Sequence, residues 1–157
     1  MKEKEIRMLK ERLGSVVTEK LEIQLNEKSS VEVAEDENHR IYIFEGTPSL
    51  AELQRGRIFP TLKSKKLEKI PRVIVDMGAV PHVCNGADIM APGIVSVEGQ
   101  FQQGDLVLIV DQKHNKPLAV GETLLSANEL RQTRKGKALT NIHYVGDELW
   151  KKIRTLK

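Results

Sequence analysis

Four histidines and one cysteine are the side chains best suited to covalent or metal chemistry in this 157-residue chain. Cys84 and His82 stand two apart. On a helix, positions two apart point in different directions, so a thiolate–imidazole pair is not expected from them. A small cysteine packed against a core is the favoured reading. His39, His82, His114 and His143 have neither i, i+4 spacing nor a second cysteine, so no metal site is expected. A phosphate-cradling Gly-Lys-Ser/Thr run and a dinucleotide glycine fingerprint are both missing. Without a convergent nucleophile, base or metal set, the chain is not expected to be an enzyme, and no cofactor is implied.

Binding chemistry is better represented. Gly86-Ala87 offers two small residues in succession, so another backbone could approach closely there. Asn85 and Asp88 flank them with hydrogen-bonding groups. The charge is patterned: residues 1–54 carry net −4, residues 55–72 net +6, residues 73–111 net −5 and residues 112–157 net +6. Two basic blocks around an acidic one can fold into one basic face, the footprint of a polyanion binder, although solvated surface charge gives the same count. Lys151, Lys152 and Arg154 are the preferred phosphate contacts. An aromatic content of 4% argues against a wide base-stacking platform.

These groups must be positioned by local elements. Lys2 to Leu13 reads as an amphipathic helix through Ile6, Leu9 and Leu13, stopped by Gly14. Val16 to Leu25 fits helix and strand about equally, with a lean to helix. Ser30–Ala34, Ile41–Phe44 and a segment near Ser49–Leu53 read as strands, with a turn at Asp36–His39. The basic stretch Lys63–Arg72, ended by Pro71, marks a border near residue 70.

Beyond it, Val75 to Ile94 is the densest stretch. Asp76 is expected to cap a short helix with Pro81 in or just after its first turn, and Gly86 to end it in a left-handed conformation. Ile89-Met90 begins an extended run that Pro92-Gly93 bends. Leu106–Val110 and Leu118–Leu125 read as strands around a turn at His114–Pro117. Ser126 to Glu129 forms a capping box for a helix reaching about Lys135 and stopped by Gly136. Ala138–Val145 and Trp150–Ile153 are expected to close the unit as extended segments. This many short strands with two helices predicts a small closed or nearly closed barrel.

Gly86 to Gly93 resembles the Gly-Ala-x-apolar-apolar-x-Pro-Gly element of the PUA domain, an RNA-binding pseudo-barrel. Asn141 to Tyr144, Gly146-Asp147 and Leu149-Trp150 look like the closing strand of the malignant-T-cell-amplified-sequence proteins and their archaeal relatives. Phe59 to Leu62 resembles the Pro-Thr-Leu signature of the pre-PUA domain of the same proteins. Residues 55–157 carry the resemblance, and the first 54 share only its pattern. It implies an α+β chain with a pre-PUA domain over residues 1–70 and a mixed β pseudo-barrel with two short helices over 71–157. It also implies an RNA groove at Gly78, His82, Gly86, Ala87, Asp88, Met90 and the Trp150-Lys151-Lys152 region. Gly78, Gly86 and Ala87 have a purely conformational alternative, and Trp150 a core one.

The function implied is that of a translation or ribosome-associated factor engaging structured RNA (tRNA ends or small-subunit rRNA). Its partners would be the small ribosomal subunit and a protein of the density-regulated type. An accessory RNA-targeting subunit of a tRNA- or rRNA-modifying enzyme is the alternative, and a protein-docking module is a third. With one cysteine, no apolar leader and no run of about 20 apolar residues, a reducing cytoplasm and no membrane are expected.

Overall fold

The computed structural model describes residues 4–9, 11–12, 31–53 and 56–156. The ambiguous Val16–Leu25 segment and the Gly14 stop lie outside them. The chain divides into two compact units, one of Met1–Lys69 with Ile153–Lys157, the other of Ile70–Lys152.

In the first unit, residues 4–9 and 11–12 are helical and form α1, burying Ile6 and Leu9 on the predicted face. Four strands follow as an antiparallel meander: β1 (Val31–Glu35), β2 (His39–Phe44), β3 (Thr47–Leu53) and β4 (Ile58–Pro60). Asp36 shapes the first turn, its Oδ1 accepting the Asn38 and His39 amides at 2.8 Å each. Glu45 and Gly46, both at positive φ, make the two-residue turn between β2 and β3, the geometry that matches strand twist. Buried Glu52 accepts both guanidinium nitrogens of Arg12 at 3.1 and 2.6 Å and the Tyr42 hydroxyl at 3.0 Å, tying α1 to the sheet. That bidentate contact holds Glu52 below the ordinary carboxylate range against the opposing effect of burial. Strand β4 was not anticipated as a strand. Thr61, within the Phe59–Leu62 motif, is buried and donates its hydroxyl to the Pro48 carbonyl at 2.7 Å.

The second unit holds β5 (Arg72–Val75), α2 (Val80–Val83), β6 (Ile89–Met90), a 3-10 turn (Ala91–Gly93), β7 (Ile94–Glu98), β8 (Leu106–Asp111), β9 (Pro117–Thr123), α3 (Ala127–Gln132), β10 (Lys137–Tyr144) and the first part of α4 (Glu148–Thr155), whose residues from Ile153 on belong to the first unit. Its sheet runs β6-β10-β9-β8-β5-β7, antiparallel except for β5 with β8. Strands β6 and β7 sit at opposite ends of that order yet are joined by the Ala91–Gly93 turn. The sheet must therefore curl nearly shut, as the barrel reading requires. Val73, Val75, Val107, Ile109, Ala119, Ala138 and Leu139 fill the interior. A bulge at Ile142, where Asn141 pairs with Gly121 and His143 with Val120, inserts one residue into β10.

Three local expectations are corrected. Trp150–Ile153 is not extended but lies in α4: Asp147 Oδ1 accepts the Trp150 amide at 2.7 Å as an N-cap, and Leu149 and Ile153 are buried one turn apart. Helix α3 keeps its capping box but ends at Gln132, because Thr133 is extended (φ −90, ψ 132) and its hydroxyl donates to the Glu129 carbonyl. Gly136 therefore opens the turn into β10 and does not stop the helix. Strand β7 was not anticipated as a separate element.

Candidate functional site

The site is built at the corner between β5, α2 and β6. Asp76 leaves β5 and donates its amide to the Gly93 carbonyl at 2.9 Å, while its Oδ1 accepts the Ala79 amide at 2.8 Å. Asp76 thus caps the turn that feeds α2, whereas the helix's own N-cap, Ala79, has no side-chain cap. The first-turn proline is as predicted.

Helix α2 is a single turn with Val83 facing the core and His82 exposed. It ends in paired reverse bonds, Gly86 N to Val83 O at 3.1 Å and Ala87 N to His82 O at 3.0 Å, the pattern that needs a left-handed residue between them. Gly86 supplies it at φ +90. A Cβ on Gly86 would lie 3.0 Å from the Tyr144 hydroxyl and 3.2 Å from its ring carbons. The missing side chain therefore makes room for Tyr144 of β10.

Asn141 fastens the same corner from the other side. Its Nδ2 donates to the carbonyls of Val83 and Ala87, both at 3.0 Å, and its amide donates to Asp88 Oδ1 at 2.9 Å. Lys137 pairs with Asp88 Oδ2 at 2.9 Å. The Asn141 amide, followed by the lysine, holds Asp88 below the ordinary carboxylate range. Ile89 is buried, and Met90, the next residue, is 49% exposed.

Gly78, His82, Gly86, Ala87, Asp88 and Met90 are thus brought onto one corner, within the arc from the α2 approach to β6. His82, Ala87 and Met90 are exposed, as is Gly78, while Gly86 and Asp88 are half-buried. Lys151, Lys152 and Arg154 lie on α4 instead. Lys151 and Arg154 are exposed there, and Lys152 and Trp150 half-buried.

The residue that starts α4 is held firmly. Asp147 Oδ2 accepts His143 Nδ1 and the Tyr144 amide, both at 2.9 Å, in addition to the Trp150 amide on Oδ1. His143 is fully buried, and a carboxylate can only accept, so Nδ1 carries the proton. Burial raises the Asp147 carboxyl, but the His143 hydrogen bond and charge with the two amides outweigh it and leave it below its usual range.

Cys84 follows the last residue of α2 and is half-buried. The thiol packs beside the core margin, and burial pushes its pKa up, the Lys116 charge only partly opposing. Among the described residues, no group of three His, Cys, Asp or Glu side chains could hold a metal ion. Asn141, Tyr144 and Lys137 were not singled out from the sequence as members of this corner. Asn141 and Tyr144 stood within a quoted motif, but nothing local ties them to residues more than 50 positions earlier.

The PUA domain family model matches residues 71–145, and a domain of unknown function (DUF1947) matches residues 1–66. The uncharacterized protein MJ1432 of Methanocaldococcus jannaschii is 36% identical over 152 residues, covering 96% of this chain and 93% of that protein. This chain belongs to the PUA-domain proteins. A crystal structure of a PUA domain from Aeropyrum pernix, a tartrate complex, superposes with TM-score 0.81 at 32% identity, over 98% of this chain and 89% of that one. The PUA-type barrel expected over the C-terminal part is therefore the fold observed.

Two further relatives carry names of their own. Translation machinery-associated protein 20 of Schizosaccharomyces pombe is 35% identical over 72% of this PUA-domain chain and 66% of its own length. Malignant T-cell-amplified sequence 1 of Rattus norvegicus is 34% identical over 62% and 56% respectively. The matched region thus spans about two thirds or less of these relatives. No helix among the described residues is long and apolar enough to cross a membrane.

Proposed function

We propose that this PUA-domain protein is a non-enzymatic, cytoplasmic RNA-binding factor of the translation apparatus, engaging tRNA ends or small-subunit RNA. The observation that carries the reading is the α2–β6 corner. Its exposed residues Gly78, Asn85 and Ala87 present short side chains and backbone, while the Asn141 bonds and the Tyr144 ring hold the corner in place and Lys137 pairs with Asp88 at its surface. A rigid, side-chain-poor edge suits contact with a sugar–phosphate backbone, where shape and amides are read more than base identity. Similarity to a protein named for its association with the translation machinery directs the proposal to tRNA or rRNA. The small subunit and a density-regulated-type protein are the partners it implies.

Crosslinking in cells followed by sequencing of the bound RNA, alongside sedimentation of the native protein, tests this. Crosslinks to tRNA or small-subunit rRNA with co-migration in the small-subunit fraction are expected. Co-migration with a modifying enzyme instead would favour the accessory-subunit alternative. Migration with neither, without RNA crosslinks, would leave protein docking as the better account.

A further inference from the structure

The stretch from Val73 to Asp111, which supplies the α2–β6 corner, contains no Lys or Arg and five acidic residues. A polyanion lying on that corner must find its cations on neighbouring elements. Lys137 is the cation on β10 beside it, and its ammonium is already spent on Asp88 at 2.9 Å.

The next source is the tip between β8 and β9, Gln112–Lys116, which is exposed throughout and carries Lys113, His114 and Lys116. Its position is fixed at both ends. Gln112 donates its amide to the carbonyl of Val75, the last residue of β5 before the corner, at 3.0 Å. Strand β9, which leaves the tip, packs against α2. The charge of Lys116 reaches Cys84 at the end of that helix.

The tip is also held in shape. Asp111, only 4% exposed, accepts the His114 amide on Oδ1 and the Lys116 amide on Oδ2 at 3.2 Å. Its carbonyl accepts the Asn115 amide at 3.0 Å, and Asn115 sits at φ +54. An almost fully buried carboxylate thus organises a loop whose long side chains all remain in solvent. The arrangement limits the backbone freedom that would otherwise be lost when the loop met a ligand.

We infer that Lys113 and Lys116, presented by the Asp111-anchored tip, form a phosphate-gripping prong that holds an RNA backbone on the α2–β6 corner. This rests on the RNA-binding reading above and adds a site outside the residues expected from the sequence. Lysine acts there as a point charge, so the prong contributes affinity without base preference. Each phosphate neutralised releases counterions and appears in the salt dependence.

The test titrates the full chain against unmodified tRNA and an unrelated structured RNA at several salt concentrations. Three proteins are compared: wild type, Lys113→Ala with Lys116→Ala, and Lys113→Arg with Lys116→Arg. Circular dichroism and denaturation midpoints confirm that the variants are folded, as exposed lysines should allow. The alanine pair should weaken binding to both RNAs alike and make the log–log salt slope shallower by about 2. The arginine pair should restore both. A folded alanine pair with wild-type affinity and slope would overturn the prong and leave the RNA-binding reading standing. If wild type shows no salt-dependent RNA binding, both fall.

Discussion

The ring of Tyr144 occupies the space that a side chain on Gly86 would need. A Cβ there would meet the Tyr144 hydroxyl at 3.0 Å, and the glycine's φ of +90 independently strains any other residue. Two costs are superposed at one position, and they can be separated. Gly86→Ala should destabilise the protein by roughly 1–3 kcal/mol. Tyr144→Ala in the same chain should relieve the contact but not the dihedral, so the double variant should be less destabilised than the sum of the singles. Denaturant unfolding of all four proteins measures it. Strict additivity would show that Tyr144 does not press on this site.

Asn141 supplies a second, polar brace. Its side-chain amide donates to two carbonyls, those of Val83 and Ala87. Asn141→Ala should cost about 1–3 kcal/mol by removing both of these bonds, with the Val83 carbonyl keeping only the Gly86 amide. Asn141→Asp, nearly identical in shape, should cost more, since a carboxylate cannot donate and would face two carbonyls and the nearby Asp88. Equal stability of the aspartate variant and wild type at neutral pH would contradict the assigned bonds.

How far this corner could be read beforehand follows from which of its forces are local. The left-handed need at Gly86, the capping box at Ser126 and the alternation of the strands depend on neighbours within a few residues, and all three were legible. The brace was not. Asn141 and Tyr144 reach the corner only because β10 pairs with β6 across half the domain, and Ile142 bulges between them. Helix α4 was misread although its signals were local. Asp147 stands in cap position, and Leu149 and Ile153 are spaced by four, a helical spacing that was outweighed by the expectation of a closing strand.

Cys84 offers a simple check on the non-catalytic reading. Burial raises its thiol pKa, with Lys116 opposing, so less thiolate is present at neutral pH than in a free cysteine. Disulfide-exchange reagents should modify folded protein more slowly than unfolded protein at pH 7. Cys84→Ser should leave RNA affinity unchanged. Rapid modification of the folded chain, or a turnover activity lost in the serine variant, would reopen the question of chemistry at this position.

The His143–Asp147 pair carries a pH dependence whose sign can be worked out. Asp147 is held below the ordinary carboxylate range in the fold. A depressed folded pKa means stability fully present above the unfolded value, about 3.9, and lost as pH falls through the folded one. The acid limb should therefore begin near pH 5 and deepen below about pH 4. Glu52, Asp88 and Asp111 are lowered too and share that limb, so the Asp147 portion must be isolated by substitution. Asp147→Asn suits this because asparagine caps helices about as well as aspartate, keeping an acceptor for the Trp150 amide. What it loses is the charged acceptor facing His143 Nδ1 and the Tyr144 amide at 2.9 Å. At pH 7 the variant should be less stable by about 1.5–3 kcal/mol, the range for hydrogen bonds to charged groups. Between pH 5 and 3 its stability should fall less steeply than wild type, and the two curves should converge. Denaturant midpoints across that range decide it: parallel curves would mean that Asp147 is not ionised against His143 in the folded protein.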